Sequence, residues 1–326
     1  MNERYITELY RDTEELWLPE PLKCRGSRVH LLALGDVGAN LLLGLKLLGG
    51  HVIDTIGIFD VNDRVARRYE MEMNQIGMPF SDDLPEVEIV TEEQLFDCDM
   101  FVFCASRGVP KIGESGDVRM MQLEANREIA EYYGRLAKKA DFRGIFAVVS
   151  DPVDPLCKEA LLSSGLRPAQ IKGYGLGVMN RRAVYHAKSD EKYKSYLNDG
   201  RVFGPHGADL VVANSISGYD DELSMELTRL TIESNLKVRE LGFKPFIAPA
   251  ISSGAYSLIA TLAGEWNYSS VWLGRDGDGA FLGIKNRIRN CGDNGAVGAR
   301  VEFENLPLPK RLYERIEHAY ENLRAL

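Results

Sequence analysis

Val29-His30-Leu31-Leu32-Ala33-Leu34 runs into the turn Gly35-Asp36-Val37-Gly38. Ala39 to Leu48 then carries apolar residues at helical spacing, and Thr55-Ile56-Gly57-Ile58-Phe59-Asp60 follows. The stretch reads as a buried strand, a glycine turn, a helix and a second buried strand ending in an acid. Such a unit seats a dinucleotide at its glycine turn. Gly35 lets a pyrophosphate approach the backbone, and Gly38 lets helix and strand pack closely. The helix start at Asp36 and Val37 offers free N–H groups and the positive end of the dipole. Asp60 is placed to accept hydrogen bonds from an adenosine ribose and to repel a 2′-phosphate, so the expected cofactor is NAD rather than NADP. Ala33 stands at the first glycine of the G-x-G-x-x-G pattern. A methyl can be tolerated there if its φ is negative.

The rest of the composition narrows the class. A chain of 326 residues with 45% hydrophobic content is long enough for two globular domains. A net charge of −9 and a pI near 5.3 argue against nucleic acid or an anionic membrane as partner, because both require a basic footprint. The five cysteines, Cys24, Cys98, Cys104, Cys157 and Cys291, lack paired metal-ligand spacing. Reduced thiols in a cytoplasm, with no metal, are therefore expected. Met1 to Glu20 is polar and charged, which predicts no secretory signal. His30 to Gly50 carries Asp36, Lys46 and several glycines, which predicts no membrane span.

Three regions follow from the texture. Residues 1–26 form an N-terminal extension, where Tyr5, Ile6, Leu9 and Tyr10 predict a helix packed on the body or on a neighbouring subunit. Residues 27–165 alternate strand-like runs, such as Phe101 to Cys104 and Ile145 to Val149, with the helical stretch Val118 to Lys139, predicting a parallel sheet covered by helices. Residues 166–326 read as a helix-rich domain with a small antiparallel sheet around a turn at Asp276 to Gly279, closed by a helix from Lys310.

Four further segments fall in a fixed order. They are Cys104-Ala105-Ser106-Arg107-Gly108-Val109-Pro110, then Arg119 to Asn126, then Val149-Ser150-Asp151-Pro152-Val153-Asp154-Pro155, then Gly204-Pro205-His206-Gly207-Ala208-Asp209. Together with the glycine turn they resemble the lactate and malate dehydrogenase family over nearly all of Ser27 to Leu326. The resemblance implies a doubly wound parallel-sheet (Rossmann) NAD domain followed by a mixed α+β substrate domain. It also implies hydride transfer between nicotinamide and a small 2-hydroxy or 2-oxo acid, and a homo-oligomer, dimer or tetramer. Cys104, Ala105 and Ser106 would line the path to the nicotinamide, with Ser150 at the neighbouring strand end.

His206 matches the family's acid/base histidine, and an imidazole suits a proton exchanged with an alcohol oxygen near neutral pH. The family orients that histidine with an Asp and binds the substrate carboxylate with an Arg three residues later. The helix Gly173 to Ala183 offers either Arg182 with Met179 at the acid's place, or Asn180 at the acid's place with Ala183 at the arginine's. Neither alignment supplies a carboxylate, though Asn180 could fix the tautomer. Arg119 matches the loop arginine that polarises the carbonyl, and Lys111 the earlier basic position, where a point charge lacks the bidentate fork. Asp151 stands where the family has an Asn. An ionised Asp accepts and does not donate, so it either faces away to cap backbone or favours a substrate bearing an amino or other cationic group. These departures also admit a second reading, a dinucleotide-binding sensor or assembly protein with catalysis diverted.

Overall fold

The computed structural model describes residues 3–81, 83–107, 118–293 and 296–326, the side chains of 118–122, 292–293 and 296–297 excepted. Four largely apolar strands, one mixed edge strand and one short three-residue strand build its centre. They are β2 (Ser27–Leu32), β3 (Ile53–Phe59), β4 (Glu86–Ile89), β5 (Met100–Phe103), β6 (Ile145–Val148) and β7 (Ile171–Gly173), after a short β1 (Trp17–Leu18). Their spatial order is β4-β3-β2-β5-β6-β7, all parallel. This is the doubly wound order, in which direction reverses between β2 and β5 and leaves a crevice at their carboxyl ends. The helices α1 (Asp36–Leu48), α2 (Asp63–Asn74), α3 (Val118–Lys139) and α4 (Val153–Ser164) cross between strands. β5 and β6 are buried on both faces, which is why they read as unbroken apolar runs, while the edge strand β4 is partly exposed. An aromatic cluster fills one face, with Phe101 and Phe146 rings 4.8 Å apart and Phe96 4.6 Å from Phe101. Each such ring contributes roughly 1.5–3 kcal/mol by burial.

The second half continues the same sheet. After α5 (Leu176–Ser189), α6 (Tyr196–Asp199), the ribbon β8 (Arg201–Phe203) with β9 (Val211–Ala213), α7 (Asp221–Glu240) and α8 (Tyr256–Leu262), a meander of β10 (Asn267–Arg275), β11 (Asp278–Asp293) and β12 (Ala296–Phe303) follows, then α9 (Lys310–Arg324). β10 pairs antiparallel with β7 through Ser270 and Gly173, so ten strands form one sheet among the described residues. The meander is much longer than the small sheet expected, and its hairpin turns at Asp276 and Gly277, both at positive φ. The parallel sheet also extends to β7, past Gly165, where the helix α4 ends in a left-handed cap. A three-residue strand carries too little periodicity to be read from sequence.

The N-terminal extension is not the expected helix. One short 3₁₀ turn, Ile6–Glu8, is followed by β1, which pairs with β12 on the chain's own body. Ile6 is fully buried and Trp272 Nε1 donates to Glu14 at 3.2 Å, so tertiary contacts override the local helical spacing. Among the described residues no helix is long and apolar enough to cross a membrane.

Ala33 does not meet the condition under which a methyl is easily tolerated. Its φ is +72°, so the methyl sits in left-handed backbone that the family position leaves to glycine. The Ala33 carbonyl would lie 2.0 Å from a Cβ on Gly38, so the turn is closed around a residue that cannot be enlarged. Replacement of Ala33 by Gly is expected to relieve the strain and stabilise the fold by about 1 kcal/mol. An unchanged or lower urea midpoint in equilibrium unfolding would contradict this.

Candidate functional site

The carboxyl ends of β2, β3, β5 and β6 bring the sequence-predicted residues to one edge. Gly35 is the N-cap of α1, and a Cβ built on it meets nothing within 4 Å, so open space lies over the glycine that a pyrophosphate would approach. The N–H groups of Asp36, Val37 and Gly38 form the first turn beneath it. Asp60 ends β3, with Oδ2 accepting from the Leu34 N–H at 2.8 Å and Oδ1 from the Asn62 N–H at 2.9 Å. Its carboxylate thus ties the second strand to the glycine turn, and each oxygen keeps acceptor capacity for a ribose hydroxyl. Lys244 pairs with Asp36 at 3.0 Å. Ala105 accepts from Ser150 Oγ at 2.7 Å, joining the ends of β5 and β6. Cys104 and Ser106 flank this link, and burial pushes the Cys104 thiol up, out of reach as a thiolate. These residues fit a dinucleotide laid across the switch point.

His206 lies on the loop between β8 and β9, and its Nδ1 is 3.1 Å from Asp151 Oδ1. The imidazole is mostly buried (19% exposed) while Asp151 is half in water (52%). Gly175 makes the approach possible, since a Cβ there would meet His206 Cβ at 2.7 Å. The loop itself hangs on β11 through Gly204 N–H to the Gly283 carbonyl at 2.9 Å. Neither α5 position expected to face the ring does so. Asn180 accepts from the Tyr196 hydroxyl at 2.7 Å, and Met179 is buried in a separate apolar cluster. Arg182, half-buried, feels the Asp151 charge, which opposes the downward pull of its burial. The Arg119 backbone begins α3, but its side chain and all of Lys111 lie outside the described residues.

Three site-shaping residues escaped the sequence reading. Asn126, buried, accepts from the Arg107 N–H at 3.0 Å and donates to the Asp151 carbonyl at 2.8 Å, holding the β5 loop against the strand end that carries Asp151. Ser253 accepts from the Val178 N–H and donates to the Gly175 carbonyl, each at 2.8 Å, capping α5 from a distant segment. Asp154 follows Asp151 by one α4 turn and is buried, with Ser270 Oγ donating to it at 2.5 Å. Its place in the quoted motif was visible; its burial was not, because an acid in a helix's first turn usually faces solvent.

Residues 27–173 match the family model described as the NAD binding domain of lactate/malate dehydrogenase. The match covers the first domain, somewhat under half of the chain, and identifies that stretch as an NAD binding domain similar to that of the lactate/malate dehydrogenases. L-lactate dehydrogenase of Treponema denticola is 26% identical over 180 residues, 55% of this chain and 55% of that one. The enzyme of that name from Macrococcus caseolyticus is 27% identical over 186 residues, 57% of this chain and 56% of its own. The match thus spans little more than half the length of these relatives. Solved structures extend the likeness in fold. Minor L-lactate dehydrogenase from Enterococcus mundtii superposes with a TM-score of 0.72 over 92% of this chain and 97% of its own, at 18% identity. Malate dehydrogenase from Picrophilus torridus does so with 0.71 over 92% and 95%, at 20% identity. The Rossmann domain and the mixed α+β domain together therefore match the fold of these lactate and malate dehydrogenase structures.

Within this fold Asp154 has a stability consequence. Burial raises its pKa from 3.8 to about 7, against the opposing Ser270 hydrogen bond. A raised carboxyl pKa makes the folded state hold the proton that the unfolded state releases, so stability falls as pH climbs from the ordinary Asp range to about 7. At about 1.4 kcal/mol per unit the loss is of order 4 kcal/mol. Asp154→Asn is therefore expected to raise the thermal midpoint at pH 8 and change it little near pH 4; calorimetry showing equal shifts at both would contradict the assignment.

Proposed function

We propose that the protein is an NAD-dependent dehydrogenase acting on a small 2-hydroxy or 2-oxo acid, or a related substrate bearing an amino group. The observation that carries this reading is the imidazole of His206 held by a carboxylate at the edge where the dinucleotide cradle opens. Asp151 supplies that carboxylate from the end of β6, in place of an acid on α5. With Asp151 accepting from Nδ1–H, the neutral ring keeps its lone pair on Nε2 and can take the proton of a substrate hydroxyl. Asp151 then stabilises the imidazolium that forms, and in the reverse direction the same nitrogen returns the proton.

Bound NAD supplies the hydride acceptor at its nicotinamide ring. Gly35, Asp36, Val37 and Gly38 would hold the pyrophosphate by backbone N–H groups, Asp60 the ribose, and Cys104, Ala105, Ser106 and Ser150 the far half. Arg182 would bind a carboxylate, helped by its partial desolvation, and Arg119 would polarise the carbonyl. Asp151 is committed to His206, so its substitution for Asn serves the histidine. A self-associated form, dimer or tetramer, is proposed on the family's pattern.

NADH oxidation against a panel of 2-oxo acids and amino-group analogues tests the reading. At least one member is expected to turn over, with His206→Gln lowering kcat by about 10²–10⁴-fold and Asp151→Asn by about tenfold or more. Tight NADH binding without turnover of any member would favour the sensor instead. Separately, Asp60→Ala is expected to lower the preference for NAD over NADP, read as the ratio of specificity constants; an unchanged ratio removes Asp60 from the ribose.

A further inference from the structure

A second carboxylate lies beneath the His206–Asp151 pair, at the seam between the parallel strands and the meander. Asp154 is 4% exposed and Ser270 is 3% exposed. Ser270 stands on β10 opposite Gly173 of β7. A Cβ at Gly173 would come 2.7 Å from Ser270 Oγ and 2.6 Å from Val153 Cγ1, so glycine there leaves room for the hydroxyl to reach the carboxylate. Val153 packs in turn against the His206 seat, since a Cβ on Gly175 would meet both His206 Cβ at 2.7 Å and Val153 Cγ2 at 3.1 Å. Val153 thus lies between the seat of His206 and the Ser270 hydroxyl that holds Asp154.

The charged and titratable groups facing Asp154 come from several elements. Asp151 precedes it and Cys157 follows on α4, His206 faces it from the β8–β9 loop, and Lys172 of β7 reaches Cys157 while donating to Asn286 at 2.5 Å. Burial pushes the Cys157 thiol up and keeps it neutral. His206 favours the ionised Asp154 and Asp151 opposes it. Asp151, half in water, is screened, whereas a charge in the dry seam acts at short range through little solvent. Burial, the strongest influence, brings Asp154 to about 7, where an imidazole also exchanges its proton.

We propose that Asp154 is a positioning residue for His206: a buried carboxyl, held by Ser270, whose ionised form is coupled to the cationic imidazole and stabilises it. Its kinetic consequence rests on the dehydrogenase reading; the coupling itself does not.

Infrared titration of the apoprotein tests the coupling without turnover. The carboxylic-acid carbonyl band lost in Asp154→Asn identifies the group. In His206→Gln, and in His206→Asn as a second variant, the midpoint of that band is expected to move upward, because the cation favouring ionisation is gone. Ser270→Ala is expected to move it upward too, through loss of the donor. A midpoint unmoved in both histidine variants overturns the proposal. In the kinetic arm, Asp154→Asn is expected to lower kcat about tenfold with KM within about twofold, and to remove an inflection near neutrality from the pH profile. An unaltered profile overturns the positioning role. Shifted midpoints in a protein that turns over no panel member support the coupling and remove only the dehydrogenase reading.

Discussion

One sheet runs through the molecule, and the antiparallel pairing of Ser270 with Gly173 is where its two halves join. Everything at the site is referenced to that join. The meander it anchors carries Gly283, whose carbonyl holds the loop bearing His206. The strand on its other side, β7, lies next to β6, which leads through Asp151 into α4 and its Asp154. Because a sheet is stiff and its interior close-packed, the imidazole and the carboxylates are set in register by strand pairing rather than by loop preference.

The two halves of the site obey different physics. The dinucleotide cradle is made of backbone: a helix start, open space over Gly35, and a turn closed on Gly38. It accommodates Ala33 at positive φ, a strain confined to one residue of the turn. The substrate side is made of side-chain charges, where moving a single carboxylate changes which group orients the histidine. Asp151 reaches the same imidazole nitrogen from a strand end that an acid on α5 would reach from a helix. That carboxylate is half-solvated, whereas Asp154, three residues further on, is buried.

Much of the fold was legible before any coordinates, because buried parallel strands are apolar runs and the glycine turn has a fixed spacing. A parallel sheet covered by helices, the helix after Gly35 and the acid at Asp60 were readable on those grounds, while the doubly wound arrangement was implied by the family resemblance. Elements held by long-range contacts were not: the N-terminal extension looked helical, yet its apolar residues are spent on the meander and on α9. The three-residue β7 exists only because β6 and β10 pair with it.

At the site, the chain's residue types determined that an imidazole, a dinucleotide turn and an excess of acids were present. They also determined that α5 carried no carboxylate for the histidine. Which acid faces His206 was decided only by tertiary structure. Asp151 and His206 are far apart in sequence, and Asn180, equally plausible by spacing, is drawn to Tyr196. Local sequence specifies periodicity and turn chemistry; the partner of a side chain is chosen by the packing of strands and helices that bring distant segments within hydrogen-bonding distance.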